Sequence, residues 1–313
     1  MYNVLDLFAG GGGFSRGFAE AGFKIIIGVD VDPNAARTFS YNFPHAVTLE
    51  EDVASIDYRH IEKYGKPDII IGGSPCEPFT AANPNRMEDP LDRLYADPLG
   101  QLTLHFVRLV GELQPRLFVL ENVPVVAQEP IRSALEREFK RIGFDELYFN
   151  VLLAERYGTP SHRRRVFISN VEIRPRGGAR RLVRDALSGL PPPDSGIPNH
   201  ETVTLSPGKA ERIARLRPGE ALMKFKGAGG IYENFIRLKW NEIAPTVMGS
   251  RRFVHPEEPR LLTVREQARL MGFPDDHVFF GPKDSQFNQV GEAVPPPLAY
   301  AVAHYIKREY INS

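Results

Sequence analysis

The chain of 313 residues has one cysteine, Cys76, and one tryptophan. A single cysteine excludes an intramolecular disulfide and the usual thiolate-rich zinc sites. Without a disulfide, a reducing cytoplasm is the expected setting. Net charge is also missing: 39 Lys and Arg balance 39 Asp and Glu, so the total does not announce a nucleic-acid partner. No apolar run approaches the ~20 residues of a membrane span, and the N-terminus lacks a signal-peptide pattern. No membrane partner is therefore expected. Repeats and low-complexity tracts are absent. His162, His200, His255 and His277 have no ligand spacing, so they read as structural or surface groups and no metal is expected. What is present, 42% hydrophobic and 25% charged, suits a globular protein with one large domain and a smaller one.

Apolar runs at residues 2–8, 24–29, 47–53, 68–71 and 116–120 read as strands, with two closing strands at 147–153 and 165–169. Helical spacing appears at 14–21, from Pro33 onward, at 101–114 (Leu102, Phe106, Leu109, Leu113) and at 131–142. This alternation predicts an α/β, doubly wound, Rossmann-like sheet. From about residue 171 to 260 the chain is rich in Arg, Pro and Gly with weak periodicity, and reads as a smaller, irregular second domain. Order returns with a capping box at Thr263–Glu266 and a final helix after Pro295-Pro296-Pro297.

Cys76 lies in Gly72-Gly-Ser-Pro-Cys-Glu-Pro78, directly after the apolar run 68–71. A strand ending in such a loop delivers its thiol to the crevice at the sheet's carboxyl edge, where ligands bind in open α/β sheets. On its own the residue is either a buried small hydrophobe or a nucleophile. The loop of Gly10 to Gly13 after the first strand fits an adenosine cofactor. It breaks the dinucleotide fingerprint, because the third glycine position falls on Ser15 or Arg16. Asp30, ending the second strand, is placed to accept from a ribose diol, and Asp52, ending the third, from an adenine amine. Eight arginines and one acid, Glu172, lie between Ser161 and Arg184. A second basic stretch runs from Lys209 to Lys226, and both are candidate phosphate-contacting faces.

Six segments, in order, resemble the C5-cytosine DNA methyltransferases, which use S-adenosylmethionine. They are Asp6-Leu-Phe-Ala-Gly-Gly-Gly-Gly-Phe-Ser15, Gly73-Ser-Pro-Cys-Glu-Pro-Phe-Thr80, Glu121-Asn-Val123, Arg163-x-Arg165 with Val-Phe-Ile, residues 262–274, and Gly291-Glu-Ala-Val-Pro-Pro-Pro-Leu298. The resemblance implies that Cys76 adds to C6 of a flipped-out cytosine in a short duplex sequence. Glu121 would partner N3, Arg165 would hold O2, and Arg163 would support the loop. Phe8, Ala9, Gly10, Gly12 and Gly13 would line the cofactor site with Asp30, Val31, Asp52, Val53, Pro75, Leu102, Glu292 and Val294.

It further implies a catalytic and cofactor-binding domain over 1–180, completed by 280–313, and a target-recognition domain over 181–279. Double-stranded DNA is the expected partner, with Arg176, Arg180, Arg181, Lys224, Lys226, Arg237, Arg251 and Arg252 as candidate contacts. A monomer of restriction–modification type, with a cognate endonuclease as functional partner, is the expectation. Four positions depart from the family pattern: Glu77 and Ser161 stand where Gln is usual, Leu99 where Arg is, and Glu292 where Asn is. The rival readings are a tRNA cytosine methyltransferase, a DNA-binding relative with little turnover, and a nicotinamide-dependent oxidoreductase, the last disfavoured by the broken fingerprint.

Overall fold

Short runs of β-branched and aliphatic residues build the sheet, and the triple Ile69-Ile70-Ile71 is at most 1% exposed. In a computed structural model describing residues 2–311, the strands are Asn3–Leu7 (β1), Lys24–Asp30 (β2), Val47–Glu50 (β3), Ile69–Gly73 (β4), Leu117–Asn122 (β5), Tyr148–Leu153 (β6) and Arg164–Ser169 (β7). They form one seven-stranded sheet in the order β3-β2-β1-β4-β5-β7-β6. Pairing is parallel from β3 through β5, while β7 runs antiparallel to both β5 and β6. The strand order reverses between β1 and β4, so their carboxyl ends open the crevice where doubly wound sheets bind ligands. Residues 8–13 and 74–77 therefore meet there.

Helices cover both faces, which a parallel sheet requires. On one side Phe106, Leu109 and Val110 of the helix Pro98–Leu113 pack with Phe118 and Phe139. This helix starts three residues before the expected position, because the Asp97 carboxylate accepts from the amides of Leu99 (2.9 Å) and Gly100 (3.2 Å). On the other side the helices Gly13–Glu20 and Pro296–Ile306 lie against each other. Gly17 makes this approach possible, since a Cβ there would stand 2.4 Å from that of Ala299. The C-terminal segment thus returns to the sheet.

The second region is less irregular than its composition suggests. Ala221–Gly227 (β8) and Gly230–Arg237 (β9) form an antiparallel hairpin, and Phe253–Val254 (β10) adds to β9 in parallel. The hairpin tip reaches the loop after Cys76, where the Gly229 amide donates to the Ala81 carbonyl at 2.8 Å. Packing does not break at residue 279: Val183, Phe253, Val264, Phe273 and Phe279 share one cluster with Phe287 and Val290. Among the described residues no helix is long and apolar enough to cross a membrane.

Candidate active site

One cavity of about 530 Å³ occupies the crevice. It brings together Cys76, Glu121, Arg163 and Arg165 with Phe8, Ala9, Gly10, Gly13, Asp30, Val31, Asp52, Val53, Pro75, Leu102, Glu292 and Val294. Gly12 is the one residue of the expected cofactor set that does not line it. Its φ of 79° and the Phe43 ring, 2.6 Å from where a Cβ would stand, make it a packing glycine.

The clustering of Cys76, Glu121 and Arg165 follows from strand order. β4 and β5 are adjacent, so the turn after Gly73 meets Glu121 at the end of β5. β7 pairs with β5 and brings Arg165 alongside. Arg165 Nε lies 2.8 Å from Glu121 Oε1, an ion pair too poorly angled for a hydrogen bond, and that buried oxygen keeps no other donor. Asn122 holds the loop that carries Cys76 from beneath: its amide donates to the Ser74 carbonyl (3.2 Å) and to Ser74 Oγ (3.0 Å). Ser74 Oγ in turn shares a 2.9 Å hydrogen bond with Thr103 Oγ1. Burial pushes the Cys76 thiol up to about 11; Glu77 and Glu121 add to this, while Arg165 and Arg163 act against it.

Arg163 and Arg165 are two residues apart on one strand end and do different things. Arg163 is 2% exposed and donates through Nη1 to the carbonyls of Val247 (3.1 Å) and Gly291 (2.8 Å), and through Nη2 to that of Glu292 (3.0 Å). It ties three chain segments together around the cavity. Burial lowers its pKa, and Arg165 pushes the same way.

At the glycine-loop end of the cavity Asp30 Oδ2 accepts from the Gly10 amide (2.7 Å) and Oδ1 from that of Asp32 (2.9 Å). Asp30 therefore shapes the glycine loop and keeps spare lone pairs for hydroxyls. Burial raises its pKa. Phe8 has φ 62°, an unusual value for an aromatic residue, and this turns the chain sharply out of β1. Behind it Asp6 is fully buried, accepts from Ser15 Oγ at 2.6 Å, and is pushed up to about 7 by burial. The Glu292 side chain is open to the cavity, yet the surrounding protein and then Glu77 push its carboxyl up to about 7, against Arg163.

Three expected DNA contacts are corrected here. Arg237 is 4% exposed and spends its guanidinium on the carbonyls of His255, Glu258 and Ile213. Arg251 is buried on those of Glu233 and Thr246. Arg252 pairs with Asp284 at 2.7 Å and lies over the Phe287 ring at 3.9 Å. Irregular buried backbone needs donors, and arginine supplies them. Arg176, Arg180, Arg181, Lys224 and Lys226 are exposed, Lys224 facing Glu233 across the hairpin at 3.2 Å. The sequence reading also missed the helix Lys283–Glu292, whose Ser285, Asn288, Gln289 and Glu292 line the cavity. Their spacing of three, four and seven was the available signal.

The family model described as C-5 cytosine-specific DNA methylase matches residues 2–175 and 195–308. Two Methanocaldococcus jannaschii proteins carrying type II methyltransferase names are 40% and 43% identical, each over 98% of this chain and 98% and 99% of their own. The type II methyltransferase M1.HphI of Haemophilus parahaemolyticus is 34% identical over 98% of this chain and 87% of its own. An Escherichia coli prophage structure, titled a DNA modification methyltransferase, superposes with a TM-score of 0.80 at 29% identity, covering 98% and 99% of the two chains. The Schizosaccharomyces pombe Dnmt2 structure, 14% identical with a TM-score of 0.68, shares the fold. With a thiol, a carboxylate and two arginines meeting a glycine loop at the switch point of this sheet, and a family match over nearly the whole chain, the protein belongs to the C-5 cytosine-specific DNA methylases, enzymes that transfer a methyl group from a donor to cytosine in DNA.

Proposed function

We propose that the methyl donor is S-adenosylmethionine and that the acceptor is a cytosine flipped out of a short duplex sequence. One observation carries this reading: Cys76, Glu121 and Arg165 share a single cavity with the glycine loop, Asp30 and Asp52. The cavity fits the donor. Its volume lies within the ~300–1,000 Å³ of small-molecule sites. Phe8, Val31, Val53 and Leu102 offer apolar walls for adenine, and Asp30 and Asp52 offer acceptors for hydroxyl and amine. No atom stands within 4 Å of the Cβ position at Gly10, which leaves the loop open to a ligand. When bound, this donor supplies an electrophilic methyl group.

The chain's own residues account for the rest. Cytosine C5 becomes nucleophilic once a group adds to C6, and cysteine can do so near neutral pH. The half-buried thiol of Cys76 must first pass its proton to a base, and Arg165 favours the resulting thiolate. As the S–C6 bond forms, Glu121 in its protonated form donates that proton to N3 and Arg165 holds O2. After C5 takes the methyl, a base removes the C5 proton, the C5–C6 double bond re-forms, N3 returns its proton to Glu121 and the thiolate departs. Arg163 positions these groups without touching the base.

Residues 181–279 serve as the target-recognition part, with 1–180 and 280–313 as the catalytic part. Arg176, Arg180, Arg181, Lys224 and Lys226 are the phosphate contacts, which help offset the few kcal/mol of base flipping. The protein would act as a cytoplasmic monomer. A cognate endonuclease as functional partner is suggested by relatives named as type II methyltransferases.

The test is a duplex carrying 5-fluorocytosine at the target, incubated with protein and S-adenosylmethionine. The wild type should form a covalent complex, because fluorine cannot leave as a proton does. Cys76→Ala should form none and lose turnover, while still binding cofactor and DNA. Retention of more than a small fraction of turnover would sink the mechanism.

A further inference from the structure

We infer that His277 is a positioning residue for the cofactor loop, a fixed donor that holds the Gly11 carbonyl and so sets the shape of residues 10–13. The inference rests on the proposed reading of that loop as the S-adenosylmethionine site. His277 is 0% exposed, and its Nε2 lies 2.7 Å from the Gly11 carbonyl oxygen. A carbonyl only accepts, so the proton is on Nε2. Nδ1 has no partner and is a bare acceptor in an apolar surround.

The ring is wedged among Phe43, Phe273 and Phe279, with centroids 6.4, 4.8 and 5.1 Å away. Burial pushes the imidazole down to about 4, Arg16 and Arg265 act in the same direction, and the bond to Gly11 and Asp276 oppose them. It is therefore neutral at working pH.

Its own backbone cannot drift. Arg265 Nη2 donates to the His277 carbonyl at 2.7 Å. The Asn42 amide clasps both sides of Val278, at 2.8 and 3.0 Å, and Thr38 Oγ1 accepts from the Phe280 amide at 2.9 Å. Phenylalanine would fill the same space and spare the cost of the bare Nδ1, but it would leave the Gly11 carbonyl without its donor. The polar ring is explained by what Nε2 does. Asp30 grips Gly10 from one side of the loop and His277 grips Gly11 from the other.

The experiment uses the full-length protein with His277→Phe, which keeps the ring packing and loses the donor, and His277→Gln, whose amide reaches the Nε2 position. S-adenosylmethionine Kd is measured by calorimetry, kcat on duplex DNA at saturating cofactor, and amide hydrogen exchange of residues 10–13 without cofactor. His277→Phe should raise Kd about tenfold, the effect of roughly one stranded hydrogen bond, with kcat within about twofold and faster exchange in the loop. His277→Gln should restore both readouts. Unchanged Kd and exchange in a folded His277→Phe would overturn the inference, as would equal losses in both variants. If the wild type binds no S-adenosylmethionine, the cofactor reading fails and the exchange measurement still decides the role of His277. Should His277→Phe not fold, His277→Asn, whose amide reaches only the Nδ1 position, takes its place.

Discussion

The sheet and the second region use charge in opposite ways. At the strand ends Glu121, Arg165 and Asp30 face a cavity, supported by residues whose own polar atoms are mostly paired. Beyond residue 230, Arg237, Arg251 and Arg265 point inward and bond to main-chain carbonyls. A sheet pairs its own carbonyls in ladders; an irregular chain that is buried must find donors elsewhere. Five N–H groups on a planar fork make arginine the efficient source. An arginine-rich irregular segment is therefore not automatically a phosphate-binding face, because part of its charge is framework.

Removing one charged group from each region should have opposite consequences. Glu121→Gln should lower kcat by ~10²–10⁴, the usual contribution of a positioned acid or base, and leave the urea midpoint near wild type. An unchanged kcat would reassign Glu121 to structure. Arg237→Met should do the reverse, lowering unfolding free energy by about 3 kcal/mol through stranded carbonyls, as read from urea denaturation. A midpoint equal to wild type would break the contrast drawn above. Replacing Arg176, Arg180 and Arg181 together by Ala should change stability by no more than ~0.5 kcal/mol. It should flatten the plot of log K against log salt for DNA by about one unit per lost phosphate contact. An unaltered slope would place that block away from DNA.

The smallest effect is expected at Glu292. Its carboxyl is pushed up to about 7, so below that pH it is mostly neutral and able to donate, and above it ionised and only accepting. On the proposed reading Glu292 faces the amino-acid end of the donor, where an ionised carboxyl would repel the donor's carboxylate. Wild-type affinity for S-adenosylmethionine should thus weaken as pH rises from 6 to 8, while Glu292→Asn binds more tightly and with a flat profile. Weaker binding by the Asn variant would mean that Glu292 holds the ammonium instead.

Much of the site was legible because strand ends are local signals. An apolar run that stops at Asp30, Gly73 or Glu121 marks both the strand and the residue it presents, and the sheet order then brings those ends together. The helix Lys283–Glu292 escaped because its mean character is polar and its buried face is narrow, Phe287 and Val290 being its main apolar anchors. The hairpin escaped because Gly227-Ala-Gly-Gly230 reads as loose chain, and its strands keep Met223, Phe225 and Ile231 exposed. Asn122, Ser74 and Thr103 act through contacts between distant strands and helices, which no spacing encodes. Burial of Arg237 and Arg251 was unreadable for a related reason, since the carbonyls they serve lie on other segments.

The contact between Gly229 and Ala81 has a consequence for how such a protein can diverge. Both partners are main-chain atoms, and a Cβ at Gly229 would stand 2.6 Å from that of Ala81. The seam thus demands glycine at its tip and is indifferent to the side chains along the two strands behind it. Whatever those exposed side chains touch can be rewritten by substitution while the hairpin stays docked on the loop that follows Cys76. On the proposed reading of this region as the target-recognition part, a change of preference then requires no change in the seam.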